Sequence, residues 1–115
     1  MKRADSLKRK KEFRYTYRAG RSQADRYCAL VFARSRTGGG VSAKIGFSVS
    51  KKLGNSVMRN RVKRRMREAM TPLIPSVKPG YNLIFIAREP ILDAPFLSIR
   101  ASLRSLMERA KLVRQ

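Results

Sequence analysis

A net charge of +21, from 28 Lys+Arg against 7 Asp+Glu with no histidine, constrains this 115-residue chain more than any motif does. A compact fold must carry nearly all of those cations on its surface and withstand their mutual repulsion. A polyanion relieves the repulsion and gains from counterion release, so nucleic acid is the expected partner. An anionic membrane surface is the other polyanionic candidate, although a basic amphipathic helix alone would serve it. The hydrophobic share of 43% allows a packed core, so wholesale disorder is not expected. The length fits one domain over residues 1–115, with residues 1–8 as a mobile basic arm. No apolar run, Leu83 to Ala87 included, is long enough to cross a bilayer. The first six residues lack the apolar stretch of a secretory signal, and Cys28 has no second cysteine to pair with. A reducing, cytoplasmic setting is therefore expected, with no membrane partner.

Periodicity places the elements. A helix is expected from about Lys8 to Ala19, capped by Asp5 or Ser6 and closed by Gly20 in the left-handed conformation. Phe13 and Tyr17, four residues apart, share one of its faces. A strand follows over Tyr27 to Ala33, and the Gly38-Gly39-Gly40 run reads as a hairpin connection. From Lys44 to Ser50 the alternation sends Ile45, Phe47 and Val49 to a core. Lys44, Gly46, Ser48 and Ser50 form an opposite face with little bulk, open to something lying on it.

Ser56 to Met70 is the most informative stretch. Met58, Val62, Met66, Ala69 and Met70 fall in one arc about 120° wide, with Asn55 or Ser56 as cap and Pro72 and Pro75 ending the helix. The rest of its surface carries Arg61, Lys63, Arg64, Arg65 and Arg67, with Asn60 among them and Arg59 at the border of the stripe. Six of the nine residues from Arg59 to Arg67 are Lys or Arg, which is too dense for an ordinary solvated face. The planar guanidinium fork suits phosphate contacts and base stacking. Lys51 and Lys52 extend the charge upstream. Tyr81 to Ala87, apolar on both faces, reads as a central strand. Phe96, Ile99, Leu103, Leu106 and Ala110 make the core stripe of a last helix opened by Asp93 and Pro95.

Protein-borne catalysis looks poor. Without histidine, Ser-His-Asp and Cys-His sites and His-ligated zinc are excluded. The seven acids are dispersed, with no metal-clustering motif, so no metal ligands are assigned. A phosphate loop starting at Gly38 fails at Ala43 and Ile45. Aromatics at Phe13 and Tyr17, bordered by Lys8 to Lys11, Arg14 and Arg18, are what single-stranded RNA needs: rings for bases and cations for the backbone. The same aromatics would also serve as core, the commoner role for rings four residues apart.

From Gly46 to Arg67, and above all in Arg59-Asn60-Arg61 followed by Lys63-Arg64, the sequence resembles the protein component of bacterial ribonuclease P. The resemblance takes in Phe13, Tyr17 and Gly20 and continues through Leu83 to Arg88. It implies an α/β fold, an α+β two-layer sandwich ordered α-β-β-β-α-β-α, with a left-handed β-α-β crossover. It also implies 5′ maturation of precursor tRNA, with chemistry and Mg2+ in the RNA subunit and no cofactor in the protein. Carried over, Arg59, Asn60, Arg61, Lys63, Arg64, Arg65 and Arg67 face the RNA subunit, and the charge of Lys51 and Lys52 joins them. Phe13 and Tyr17 match two aromatic positions of a cleft for the 5′ leader, to which the charge of Arg14 and Arg18 and the small face at Ser48 and Ser50 are added. A third cleft aromatic of some relatives falls on Val31, for which Tyr27, four residues earlier, would compensate from the same face. No obligate protein partner is implied. The alternative is a structural RNA-binding protein of the ribosomal type, which shares a basic exterior and an α/β core. A DNA-binding protein ranks third, since helix–turn–helix spacing is absent.

Overall fold

Buried apolar side chains at alternate strand positions and along helix stripes assemble a four-stranded sheet in the order β1-β2-β4-β3. The computed structural model describes residue 1, residues 3–36 and residues 42–114. Its elements are α1 (Lys10–Ala19), β1 (Arg21–Ala24), β2 (Cys28–Arg34), β3 (Lys44–Ser48), α2 (Ser56–Met70), β4 (Tyr81–Ala87) and α3 (Phe96–Arg109). β1 with β2, and β2 with β4, are antiparallel. β3 lies parallel to β4, so α2 is the crossover of a β-α-β unit. The Gly38-Gly39-Gly40 run is outside the described residues, but it does not close a hairpin: β2 and β3 are separated by β4. The hairpin is instead β1–β2, turned at Asp25, whose Oδ1 accepts from the Tyr27 and Cys28 N–H groups at 2.9 and 3.0 Å.

The main core lies between the sheet and α2 with α3. Cys28, Leu30, Ile45, Leu83 and Phe85 of the sheet meet Val62, Met66, Met70, Ile99, Leu103 and Leu106, all buried. Each large apolar side chain buried this way contributes about 1.5–3 kcal/mol. β4 is the central strand, as its doubly apolar sequence requires. The α2 stripe is buried from Val62 onward. Met58 and Val57, in the first helical turn, remain 39% and 74% exposed.

α1 lies on the opposite face. It starts at Lys10 rather than Lys8, and neither Asp5 nor Ser6 caps it. Those residues are committed elsewhere: Ser6 bridges Ile45, the Leu7 N–H donates to the Ile45 carbonyl at 2.9 Å, and Leu7 is buried. The segment expected to be a mobile arm is therefore tied to the edge of β3, with Lys44 Nζ donating to the Ala4 carbonyl. Gly20 is extended (φ −82°, ψ 163°), not left-handed. Glycine is needed there for proximity, since a Cβ would fall 2.4 Å from the Thr16 carbonyl oxygen and 2.8 Å from that of Phe32.

Gly46 has the same reason on the sheet side. A Cβ there would sit 2.6 Å from Phe13 Cζ, so the ring of α1 rests directly on the backbone of β3. Gly46→Ala should therefore lower stability by roughly 1–3 kcal/mol through overpacking. Adding Phe13→Leu should recover most of that loss in thermal unfolding. A Gly46→Ala protein as stable as the parent would contradict this seating of α1.

Candidate nucleic-acid interface

Directly paired strand residues share a face, and beyond the Lys44–Asn82–Ala33 row two further rows cross the α1 side of the sheet. Gly46, Ile84, Val31 and Ser22 form one; Ser48, Ile86, Ala29 and Ala24 form the next. α1 covers the first row at Gly46 but leaves Ser48, Ile86, Ala29 and Val31 partly exposed. Phe13 is half-buried over Gly46, whereas Tyr17 is 44% exposed. Their ring centroids lie 6.4 Å apart with planes tilted by 44°. The two rings and the open positions Ser48, Ile86, Ala29 and Val31 thus lie on the same side of the sheet. Arg14 and Arg18 are exposed on the same helix. Of the two expected cleft serines, Ser48 is one of the open positions. Ser50 lies beyond the end of β3, where its Oγ accepts from the Lys52 N–H at 3.1 Å.

The Val31 position has no aromatic substitute. Tyr27 precedes β2, and the Asp25 turn interrupts the alternation that would have placed it beside Val31. It packs instead against the core formed with α2 and α3.

A polar network that sequence reading did not find fixes α1 over the sheet. Asn82 and Thr16 are 1% and 0% exposed. Asn82 Nδ2 donates to Thr16 Oγ1 at 3.2 Å and to Glu12 Oε2 at 3.5 Å, and Thr16 Oγ1 donates to the Glu12 carbonyl at 2.7 Å. Arg36 pairs with Glu12 at 2.6 Å and lies over the Tyr15 ring. The hydrogen bond from Arg36 holds the Glu12 carboxyl below the usual carboxylate range, with burial opposing it. A buried asparagine in an otherwise apolar strand was the available signal: it needs a partner from whatever covers it.

α2 begins at the same end of the sheet as the open row, because Ser48 leads through Ser50 and the Lys51–Leu53 turn into the helix. Asn55 Oδ1 caps it, accepting from the Met58 N–H at 3.0 Å. Asn60, Arg61, Arg64 and Arg67 are exposed, as are Lys51 and Lys52, while Lys63 is half-buried. Two arginines are less free. Arg59 is half-buried, and its Nε has no hydrogen-bond partner among the described residues. Arg65 donates to the Ala94 carbonyl at 2.9 Å, tying α2 to the chain entering α3.

Among the described residues no three Cys, Asp or Glu side chains converge. Glu12 is held by Arg36. Asp25 accepts the Ser102 hydroxyl at 2.6 Å with the oxygen its turn does not use. Cys28 is fully buried, and that burial pushes its thiol up to about 12, so it stays protonated and inert. No helix among the described residues is long and apolar enough to cross a membrane.

The family model for ribonuclease P matches residues 1–111. The chain belongs to this family. A ribonuclease P protein component from Symbiobacterium thermophilum is 42% identical over 115 residues, covering 100% of this chain and 98% of the relative. The ribonuclease P protein of Staphylococcus aureus superposes with a TM-score of 0.82 at 33% identity, over 96% of this chain and 98% of that one. The Thermotoga maritima ribonuclease P protein, at 22% identity, shares the fold, with a TM-score of 0.78 over 90% of this chain and 96% of that one. The element order α-β-β-β-α-β-α is therefore that of the ribonuclease P proteins.

Arg61 and Arg65 separate the binding role from the structural one. Arg61→Ala should leave the melting temperature unchanged and reduce the salt slope of log K for RNA by about one phosphate contact. Arg65→Ala should in addition cost roughly 1.5–3 kcal/mol, because it removes a charged hydrogen bond to a backbone carbonyl. Equal melting temperatures for the two variants would contradict the Arg65–Ala94 tie.

Proposed function

We propose a division of labour in which this chain, the protein component of a ribonuclease P, holds two RNAs and leaves the chemistry to one of them. α2 is the docking helix for the RNA subunit, through Arg61, Arg64 and Arg67 with Asn60, Lys63, Lys51 and Lys52 beside them. The cleft between α1 and the sheet takes the unpaired 5′ leader of precursor tRNA. The observation that carries this reading is one of placement. The open row Ser48–Ile86–Ala29 and the exposed Tyr17 lie at the end of the sheet where the cationic helix begins. A leader on the cleft floor would therefore emerge beside RNA held by α2.

The chain's contribution is charge neutralisation and stacking. Two polyanions brought together repel each other, and a +21 domain between them screens that repulsion. Leader bases stack on Tyr17, with Phe13 as a backing ring, while phosphates lie near Arg14, Arg18 and Lys52. In this reading Mg2+ acts with the RNA subunit.

Tyr17→Ala tests the cleft, since the ring is exposed and its loss leaves the core intact. Stacking is worth roughly 1–3 kcal/mol per base, so the variant holoenzyme should bind leader-bearing precursor about tenfold more weakly. Binding of mature tRNA and the melting temperature should not change. Equal weakening for precursor and mature tRNA would remove Tyr17 from the leader site.

A further inference from the structure

A groove of about 530 Å3 opens at the end of the sheet away from the start of α2. β4 runs from Tyr81 at this groove to Ile86 beside Ser48, about 17 Å along the strand at roughly 3.3 Å per residue. Arg21, Arg34, Lys78 and Lys111 line it. A smaller hollow of about 290 Å3 adjoins it, shares Arg21, Phe32 and Lys111, and adds Arg109. No acid lines either one. Arg21, Lys78 and Lys111 have no side-chain hydrogen bond or ion pair among the described residues. Arg34 lies over the Tyr81 ring at 5.6 Å from its centroid, and Phe32 shares the wall. Cations beside partly exposed rings are the composition that binds unpaired RNA.

Lys111 sharpens the point. Its φ of 61° lies in the left-handed region that favours glycine, directly after the C-terminus of α3. The backbone holds it there: the Lys111 N–H donates to the Glu108 carbonyl at 3.0 Å and the Leu112 N–H to that of Met107 at 2.9 Å. The Lys78 N–H in turn donates to the Leu112 carbonyl at 2.7 Å, which brings the two lysines to one rim. A helix C-terminus gives a cation some return, but the backbone conformation asks for glycine.

The groove is not part of the leader cleft. Tyr15 and Ala19, which line it, point from α1 about 200° away from Phe13 and Tyr17 respectively, so the helix stands between the two. The chain reaches it from α2, whose C-terminus passes through the Thr71–Ser76 turn to Val77 and Lys78. We propose that this groove is a second docking site for the RNA subunit and takes an unpaired segment of it, a proposal that rests on α2 being the docking helix for that RNA. Phosphates lie against Arg21, Lys78 and Lys111, and bases against the rings.

A tethered cleavage probe tests this in the assembled complex. Cys28 is buried, so Lys111→Cys creates the one reactive thiol, to which iron–EDTA is attached; Val57→Cys, exposed at the first turn of α2, carries the same probe as reference. Both tethers should cut the RNA subunit, at different places. The cuts from position 111 should fall in unpaired nucleotides and persist when precursor tRNA is added. Cuts from position 57 alone, or cuts from position 111 only in precursor tRNA, would overturn the second site. Silence from both would remove the reading of α2 and this one with it. In parallel, Lys78→Ala with Lys111→Gly should weaken RNA-subunit binding about tenfold at about 0.1 M salt and flatten the salt slope by about 1.4, from two contacts at about 0.7 each. Lys111→Gly alone should not lower the melting temperature. Arg104→Ala on the outer face of α3, paired only with Glu108 at 3.8 Å, is the charge control. A double variant that binds no worse than this control would also overturn the proposal.

Discussion

Unneutralised positive charge is the constraint to which the rest of this structure answers. Among the described residues two ion pairs form, Glu12–Arg36 and Glu108–Arg104, so most of their cations have no acidic partner within the fold. The domain therefore draws its stability from one well-filled apolar core and directs its cations outward, especially from α2. Its few acids are spent where they shape the chain. Glu12 helps to fix α1 over the sheet, and Asp25 builds the β1–β2 turn and accepts the Ser102 hydroxyl of α3. A surface of this kind is completed by an external polyanion.

The elements that could be read from the sequence are those whose pattern is local. Ser56–Met70 and Tyr81–Ala87 have the boundaries their periodicity predicts, because an amphipathic stripe and a doubly apolar run each allow one solution. The small-residue face of β3 was equally legible, and Gly46 beneath Phe13 gives its reason. What escaped depends on long-range pairing. β1 is short and polar, and only its ladder to β2 makes it a strand. The glycine run looked like a hairpin, yet the neighbour of both flanking strands is β4, some forty residues downstream of the run in the chain.

The site divides along the same line. Residue type and spacing placed the cationic helix and the Phe13–Tyr17 pair, but not which arginines are free. Arg65 reaches the Ala94 carbonyl from 29 residues away, which no helical wheel shows. Tyr27 was assigned by counting in twos through a turn that breaks the count. The Asn82–Thr16–Glu12 network joins positions up to 70 residues apart. It does for α1 what a buried polar group does well: it selects one seating among several apolar ones.

The central claim is that this chain organises RNA and makes or breaks no bond itself. Leader removal from precursor tRNA, followed at low Mg2+ with the RNA subunit alone, the chain alone and the two together, tests it most directly. The account predicts efficient cleavage only with both components, and cleavage by the RNA subunit alone only when Mg2+ is raised to screen the repulsion the protein otherwise relieves. Specific cleavage by the chain after every trace of RNA subunit has been removed would contradict it.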